Sequence, residues 1–137
     1  KLEEEYGLKQ LGTYHSFAKQ VEVSQRALVK LVTGLRDEGM RIAAYGAAAK
    51  GLSLLNYCRI GPEILSYVVD DSPLKQGKLT PGTHIPIVGP EQLRTEPVDA
   101  ILLLAWNMAE EIKRKTHELR VQYINPIGLP VGDLPLV

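Results

Sequence analysis

Cysteine, tryptophan and phenylalanine each occur once in 137 residues, and there is no excess of charge of either sign, 16 Lys plus Arg standing against 16 Asp plus Glu. Each shortage excludes something. A single thiol, Cys58, forbids an internal disulfide and suits a reducing, cytoplasmic setting. Within Leu54-Leu55-Asn56-Tyr57-Cys58 it reads as a small buried hydrophobe rather than a nucleophile. One Cys and three scattered His give no metal-ligand spacing, so no metal is assigned. A neutral balance argues against a nucleic-acid surface, which carries a basic excess. Eight aromatics (six Tyr, one Phe, one Trp) supply no stacking platform. The longest apolar run, Asp99 to Trp106, is far too short to span a bilayer, and no signal peptide is visible. No membrane partner is expected. The charged opening, Lys1 with Glu3-Glu4-Glu5, reads as the interior of a longer protein.

What is present is an ordinary globular balance, 45% apolar and 23% charged, able to bury a core in one compact domain. Residues 1–38 form a linker and a long amphipathic helix, predicted from Thr13 to Glu38. Tyr14, Phe17, Val21, Leu28, Leu31 and Leu35 share one face, with Ser24 interrupting. Thr13 suits an N-cap and Gly39 a stop. Beyond Gly39 the period changes. Arg41–Tyr45, Leu65–Val69, Ala100–Ala105 and Val121–Ile124 are short apolar runs separated by helical or loop segments. Such runs predict a mainly parallel sheet covered on both faces. His84–Val88 adds a short strand, held to an edge by Pro86. Pro90-Glu91 opens a short helix, and Asn107 with Glu110 has the spacing of a capping pair. The tail from Asn125 is rich in Pro and Gly and predicted irregular. Residues 39–137 therefore read as an α/β, Rossmann-like three-layer domain preceded by a long helix.

In an open parallel sheet, ligands bind beyond the carboxyl ends of the strands, and three segments meet that edge. Tyr45-Gly46-Ala47-Ala48-Ala49-Lys50-Gly51 follows the first strand and opens a helix, whose free amides favour an anion. Lys50 adds positive charge. The same small residues also suit nothing more than tight strand–helix packing. Asp70-Asp71 ends the second strand; Asp70 follows Gly46 at about the separation of a ribose-binding acid, though Asp-Ser-Pro is equally good turn chemistry. The segment from Pro73 to His84, with Lys75 and Lys78, reads either as a phosphate- or sugar-binding loop or as a solvated surface loop. Trp106-Asn107 ends the most apolar strand and offers a stacking ring and an amide, or else a core tryptophan and a cap. No nucleophile–base pair is visible. Ser16, Ser24, Ser53, Ser66 and Ser72 lack an elbow context, His15 and His117 lie on helices, and His84 alone is expected near the ligand edge, so no catalytic residue is assigned.

Taken in order, Tyr45-Gly-Ala-Ala-Ala-Lys-Gly51, Leu54-Leu-Asn-Tyr57, Val68-Val-Asp-Asp-Ser-Pro-Leu-Lys-Gln-Gly77, Thr80-Pro-Gly-Thr-His-Ile-Pro-Ile87 and Leu104-Ala-Trp-Asn107 resemble the C-terminal domain of the S-adenosylmethionine-dependent sugar C-methyltransferases. The likeness implies a zinc-binding region and a central methyltransferase domain elsewhere in the parent chain. S-adenosylmethionine is then held by that central domain, and no cofactor is expected here. It implies a substrate that is a nucleotide-linked 4-keto deoxysugar of the thymidine-diphosphate type, methylated at the adjacent carbon. Gly46, Ala47, Lys50, Asp70, Lys75, His84, Trp106 and Asn107 become candidate substrate contacts. The sequence departs from the family in lacking the zinc cysteines, the cofactor loop and the Tyr-x-Glu-His stretch, and in Ala48, where many relatives have proline. A stand-alone nucleotide or dinucleotide module, and a structural domain forming a homo-oligomer through its helix seam, are the competing expectations.

Overall fold

The structure, a computed structural model, describes residues 25–127. Thr13, Tyr14, His15, Phe17, Val21, Ser24 and the tail positions 128–137 lie outside the described residues. The predicted long helix is therefore seen over residues 25–37, labelled α1. It closes at Gly39, as the sequence predicts. Gly39 takes φ +86°, its N–H donates to the Arg36 carbonyl at 2.8 Å, and the Met40 N–H donates to the Leu35 carbonyl at 3.1 Å. That pair of bonds is a Schellman closure, which requires left-handed backbone at the glycine. Leu28 and Leu35 are buried as their spacing predicts, whereas Leu31 is only partly buried and Val32, outside the predicted seam, is fully buried. Residues 28, 32 and 35 line up on steps of four and three, and Leu31 falls at the flank of that stripe.

The remaining elements are β1 (Ile42–Tyr45), α2 (Ala49–Cys58), β2 (Leu65–Val69), β3 (Ile87–Val88), α3 (Gln92–Thr95), β4 (Ala100–Leu103), α4 (Ala109–Lys115) and β5 (Gln122–Ile124). The sheet order is β3-β2-β1-β4-β5, with every neighbouring pair parallel. Every residue of β1 and β4 is buried, because both faces of the sheet are covered. Alternate side chains feed two separate cores. Ile42, Ala44, Leu65, Val68 and Leu102 pack with Leu28 of α1 and Leu55 of α2. Ala43, Tyr45, Val69, Ile101 and Leu103 pack with Leu93 of α3 and Ile112 of α4. Each aliphatic side chain so buried contributes about 1.5–3 kcal/mol relative to exposure, and the result is three layers. The order reverses direction between β1 and β4, the position at which such sheets receive ligands.

Two expectations change on the way. The segment from Pro73 to His84, expected as a loop, is not a free one. Ile87 donates its N–H to the Lys78 carbonyl and Gly77 donates to the Ile87 carbonyl, both at 2.8 Å, while Leu79 bridges Pro86 antiparallel. The chain thus doubles back over β3 and covers what would be an open sheet edge. Thr80 anchors the turn: it is buried, its hydroxyl accepts the Ile85 N–H at 2.9 Å, and it shares a hydrogen bond with Thr83. Asn56 of α2 donates to the Pro81 carbonyl at 3.0 Å. The second change concerns the predicted Asn107–Glu110 capping pair, which does not form. A 3₁₀ turn, Trp106–Met108, intervenes, and α4 starts behind Met108 with no side-chain cap. Charge complements the dipole instead, with Glu110 and Glu111 in the first turn and Lys113, Arg114 and Lys115 in the last.

Candidate functional site

The carboxyl edge is pinned where β1 meets β4. Gly46 takes φ +95°, and a Cβ there would lie 2.5 Å from the Ala105 Cβ and 3.1 Å from its nitrogen. Its N–H donates to the Val69 carbonyl at 2.7 Å, so one residue ties all three strand ends together. Five residues on, a Cβ at Gly51 would lie 2.6 Å from the Leu104 Cβ, so α2 rests directly on the end of β4. Between the two glycines, Ala48 is extended (φ −85°, ψ 148°), offers no side-chain cap, and begins a ten-residue helix whose first turn holds no acid. The amides of that turn carry the positive end of the helix dipole toward the edge. Lys50, exposed in the same turn, makes no ion pair among the described residues.

Asp70 builds this turn rather than standing open beside it. Its Oδ2 accepts the Ala47 N–H at 2.7 Å and its Oδ1 accepts the Ser72 N–H at 2.8 Å. Lys75 donates Nζ to the Ala47 carbonyl at 2.9 Å and lies 3.9 Å from the Asp70 carboxylate, while Gln76 donates to the Asp70 carbonyl at 2.8 Å. Both polar groups of the Ala47 backbone are therefore committed inside the protein. The peptide is held in one orientation, and anion contacts fall to the amides that follow it.

Asp71 points to the opposite face. Its Oδ1 accepts the Tyr45 hydroxyl at 2.7 Å and its Oδ2 accepts Lys115 Nζ of α4 at 2.8 Å, with Glu111 3.6 Å from the same ammonium. Burial pushes the Asp71 carboxyl upward, but the hydrogen bonds from Lys115 and Tyr45 and the lysine charge outweigh it, and the net shift is downward. The hydrogen bond to Asp71 holds the Lys115 ammonium above its ordinary range. Burial foremost, then Asp71, raises the Tyr45 phenol well above the usual tyrosine range. The tyrosine is therefore a fixed neutral donor and the aspartate a fixed anion.

Of the residues expected at the edge, Gly46, Ala47, Lys50, Asp70, Lys75, Trp106 and Asn107 do come to it. Trp106 is half-buried and Asn107 is exposed in the turn directly after β4. His84 does not. It sits at φ +60° in the Thr80–Ile85 turn, and β3 pairs Ile87 with Val68, so the residues ahead of Ile87 run toward the Leu65 end of β2, the amino edge. The residues that sequence reasoning missed are Tyr45, as a hydroxyl donor, and Lys115, which lie 26 and 44 positions from Asp71 and carry no local spacing signal. Among the described residues no group of three or more His, Cys, Asp or Glu is placed to hold a metal, and no helix is long and apolar enough to cross a membrane.

The profile of a family described as C-methyltransferase C-terminal domain matches residues 1–127. This chain belongs to that family. As a C-methyltransferase C-terminal domain it is 41% identical over 131 residues to C-methyltransferase NovU of Streptomyces niveus, a match covering 93% of this chain. The same match covers 31% of the relative, so the domain spans about a third of that protein's length. The resemblance read from the Tyr45–Gly51, Val68–Gly77 and Leu104–Asn107 segments is therefore the family itself.

Proposed function

We propose that this domain holds a nucleotide-linked 4-keto deoxysugar, of the thymidine-diphosphate type, so that the catalytic part of a larger C-methyltransferase can methylate it. The supporting observation is the start of α2, without a side-chain cap, with Lys50 beside it making no ion pair among the described residues, set at the strand-order reversal of a family member's sheet. Amides of that first turn and Lys50 hold the diphosphate. Trp106 and Asn107 contact the nucleoside or sugar from the β4 side. Gly46, Ala47, Asp70 and Lys75 shape the turn without having to touch the ligand, and His84 has no part in it. Fixing one end of the substrate here reduces the orientational freedom lost in reaching the transition state elsewhere, a term worth up to about 7–11 kcal/mol for ideally placed groups.

The methyl donor, S-adenosylmethionine, belongs with the catalytic part. It supplies the methyl group, and this chain's residues do not fit it. Asp70, at the position that takes a ribose hydroxyl in dinucleotide folds, has both oxygens engaged by the Ala47 and Ser72 amides and lies against Lys75. The same engagement weighs against a nicotinamide dinucleotide, which the strand order alone would favour.

Calorimetric titration of the domain tests the reading. Thymidine diphosphate and a thymidine-diphosphate 4-keto deoxysugar should bind, Lys50→Ala should weaken both, and S-adenosylmethionine and a nicotinamide dinucleotide should be silent. Dinucleotide binding in their place would overturn it.

A further inference from the structure

We propose that the outer face of α1 is a self-association surface, through which two copies of this chain pair with their α1 helices antiparallel. The inference does not depend on which ligand the carboxyl edge holds. It concerns a groove that the proposed substrate site leaves unused.

The groove measures about 610 Å³ and follows α1 from Gln25 to Asp37, with Tyr57 and Cys58 of α2 on its border. Its α1 side is the face that the core does not use. Leu28 and Leu35 turn inward at 0% and 8% exposure, so the apolar seam expected to carry a homo-oligomer is spent, at those positions, inside the chain's own core. Lys30, Thr33 and Asp37, three and four residues apart, form the outward stripe. Tyr57 stands beside it at 67% exposure, a large amphipathic ring of the kind enriched at interfaces. Midway along the groove lie Thr33, half-buried, and Gly34, buried, whose small size lets a second helix approach.

Charge selects the occupant. Lys30 is exposed and makes no ion pair among the described residues. Two turns on, Asp37 and Glu38 lie at the carboxyl end of α1, where the helix dipole is negative and acids are unfavourable. Among the described residues the compensation for these acids is Arg36 beside Asp37, at 3.0 Å with side chains 37% and 59% exposed, a pair worth little. One stripe thus carries a basic position and an acidic one, with small residues between them. A second copy laid antiparallel and crossing at Thr33–Gly34 sets Lys30 of each chain opposite Asp37 of the other, two contacts made equivalent by a two-fold axis. A parallel copy would set lysine on lysine and aspartate on aspartate. The face is therefore its own complement, as a closed dimer requires, whereas an unrelated partner would have to carry the same pattern reversed.

Sedimentation equilibrium of the 137-residue chain tests this, from about 10 μM to about 1 mM, in reducing buffer so that Cys58 cannot cross-link copies. Lys30→Glu, Asp37→Lys and Tyr57→Ala accompany the wild type, with folding of each checked by circular dichroism. The wild type should dimerise reversibly, and less tightly as salt is raised. Lys30→Glu and Asp37→Lys should each weaken the dimer about tenfold, because the two-fold axis counts the lost pair twice. Tyr57→Ala should weaken it several-fold. An equimolar mixture of Lys30→Glu and Asp37→Lys should associate at least as tightly as the wild type, since the reversed charges then meet each other and the native pair meets across the same interface. A chain that stayed monomeric throughout would overturn the proposal and leave the groove to a different partner. A dimer indifferent to both reversals, or a mixture no tighter than either variant alone, would overturn the antiparallel α1 pairing.

Discussion

Replacing Gly46 by alanine tests whether the edge is pinned as described. The backbone at φ +95° lies outside the regions open to residues with a Cβ, and left-handed backbone alone is worth roughly 1–2 kcal/mol to such residues. The added methyl also meets the Ala105 Cβ at 2.5 Å and the Ala105 nitrogen at 3.1 Å, and relieving an overpacked contact of this kind costs about 1–3 kcal/mol. Together the loss is about 2–5 kcal/mol, a large part of the roughly 5–15 kcal/mol of a typical domain. With a urea slope of about 2 kcal/mol per molar, the midpoint should fall by about 1–2.5 M. Trp106, the only tryptophan, follows Ala105 directly and reports the change by fluorescence, with circular dichroism as the global probe. Gly77→Ala is the control: its φ is +84° but a Cβ there meets nothing within 4 Å, so it should show only the conformational share. Adding Ala105→Gly to Gly46→Ala should restore part of the steric share in a double-mutant cycle. If Gly46→Ala were no worse than Gly77→Ala, or if Ala105→Gly restored nothing, the close approach of β1 and β4 would be wrong.

Other substitutions and conditions have equally definite expectations. Arg59 ends α2 at φ 55° with the hydrogen bonds of a Schellman closure, so Arg59→Gly should stabilise by about 0.5–1 kcal/mol in urea melts after the glycine's greater freedom in the unfolded chain is allowed for. Thr80→Val keeps the shape but leaves the Ile85 N–H without its acceptor and Thr83 without its partner. It should destabilise by about 1–3 kcal/mol, while Thr83→Val, which leaves the Ile85 bond intact, should do less. Tyr45 and Tyr67 are raised in the folded state, Tyr67 to about 12, in both cases chiefly by burial. Holding them protonated contributes stability that is complete below pH 10, the ordinary tyrosine value, and is lost as pH climbs toward the folded values. The unfolding free energy from urea melts should therefore fall above pH 10, by about 1.4 kcal/mol per pH unit for each tyrosine involved. Tyr67→Phe and Tyr45→Phe should each flatten that slope, read beside the tyrosinate absorbance.

Much of the fold was legible because its signal is local. Ile42–Tyr45 and Ala100–Leu103 are continuous apolar runs, the pattern that burial on both faces demands, and Gly39 stops α1 through backbone conformation alone. The turn from Gly46 to Gly51 was legible in the same way, since small residues between a strand and a helix have few uses. The cover over β3 was not, because it is held by backbone groups of Gly77, Lys78 and Ile87 and one threonine hydroxyl, and backbone pairing leaves no periodic trace in side-chain type. His84 was misplaced for the same reason: once the segment doubles back, nearness in sequence to Asp70 no longer means nearness in space. Asp70 was read correctly as an edge residue but not as a fastener of the Ala47 amide. The Tyr45–Asp71–Lys115 chain joins three distant positions, and only the assembled sheet with α4 packed on it brings them together. The Asn107–Glu110 pair failed because spacing alone does not reveal the 3₁₀ turn between them.

The two adjacent carboxylates after β2 have a consequence for how this chain tolerates length change. Because side chains alternate sides along a strand, Asp70 serves the α2 layer and Asp71 the α4 layer. Deleting or inserting one residue next to Val69 would exchange their destinations, sending the acid that holds the Ala47 amide toward Lys115 and the partner of Lys115 toward the α2 turn. Both positions would still read as aspartate followed by aspartate at the end of an apolar strand, yet both layers would be miswired at once. A relative carrying a single-residue gap here should therefore show its compensation within the same strand, as a bulge like the one already present in β2 between Leu65 and Val68, which oppose Ile42 and Ala44 of β1.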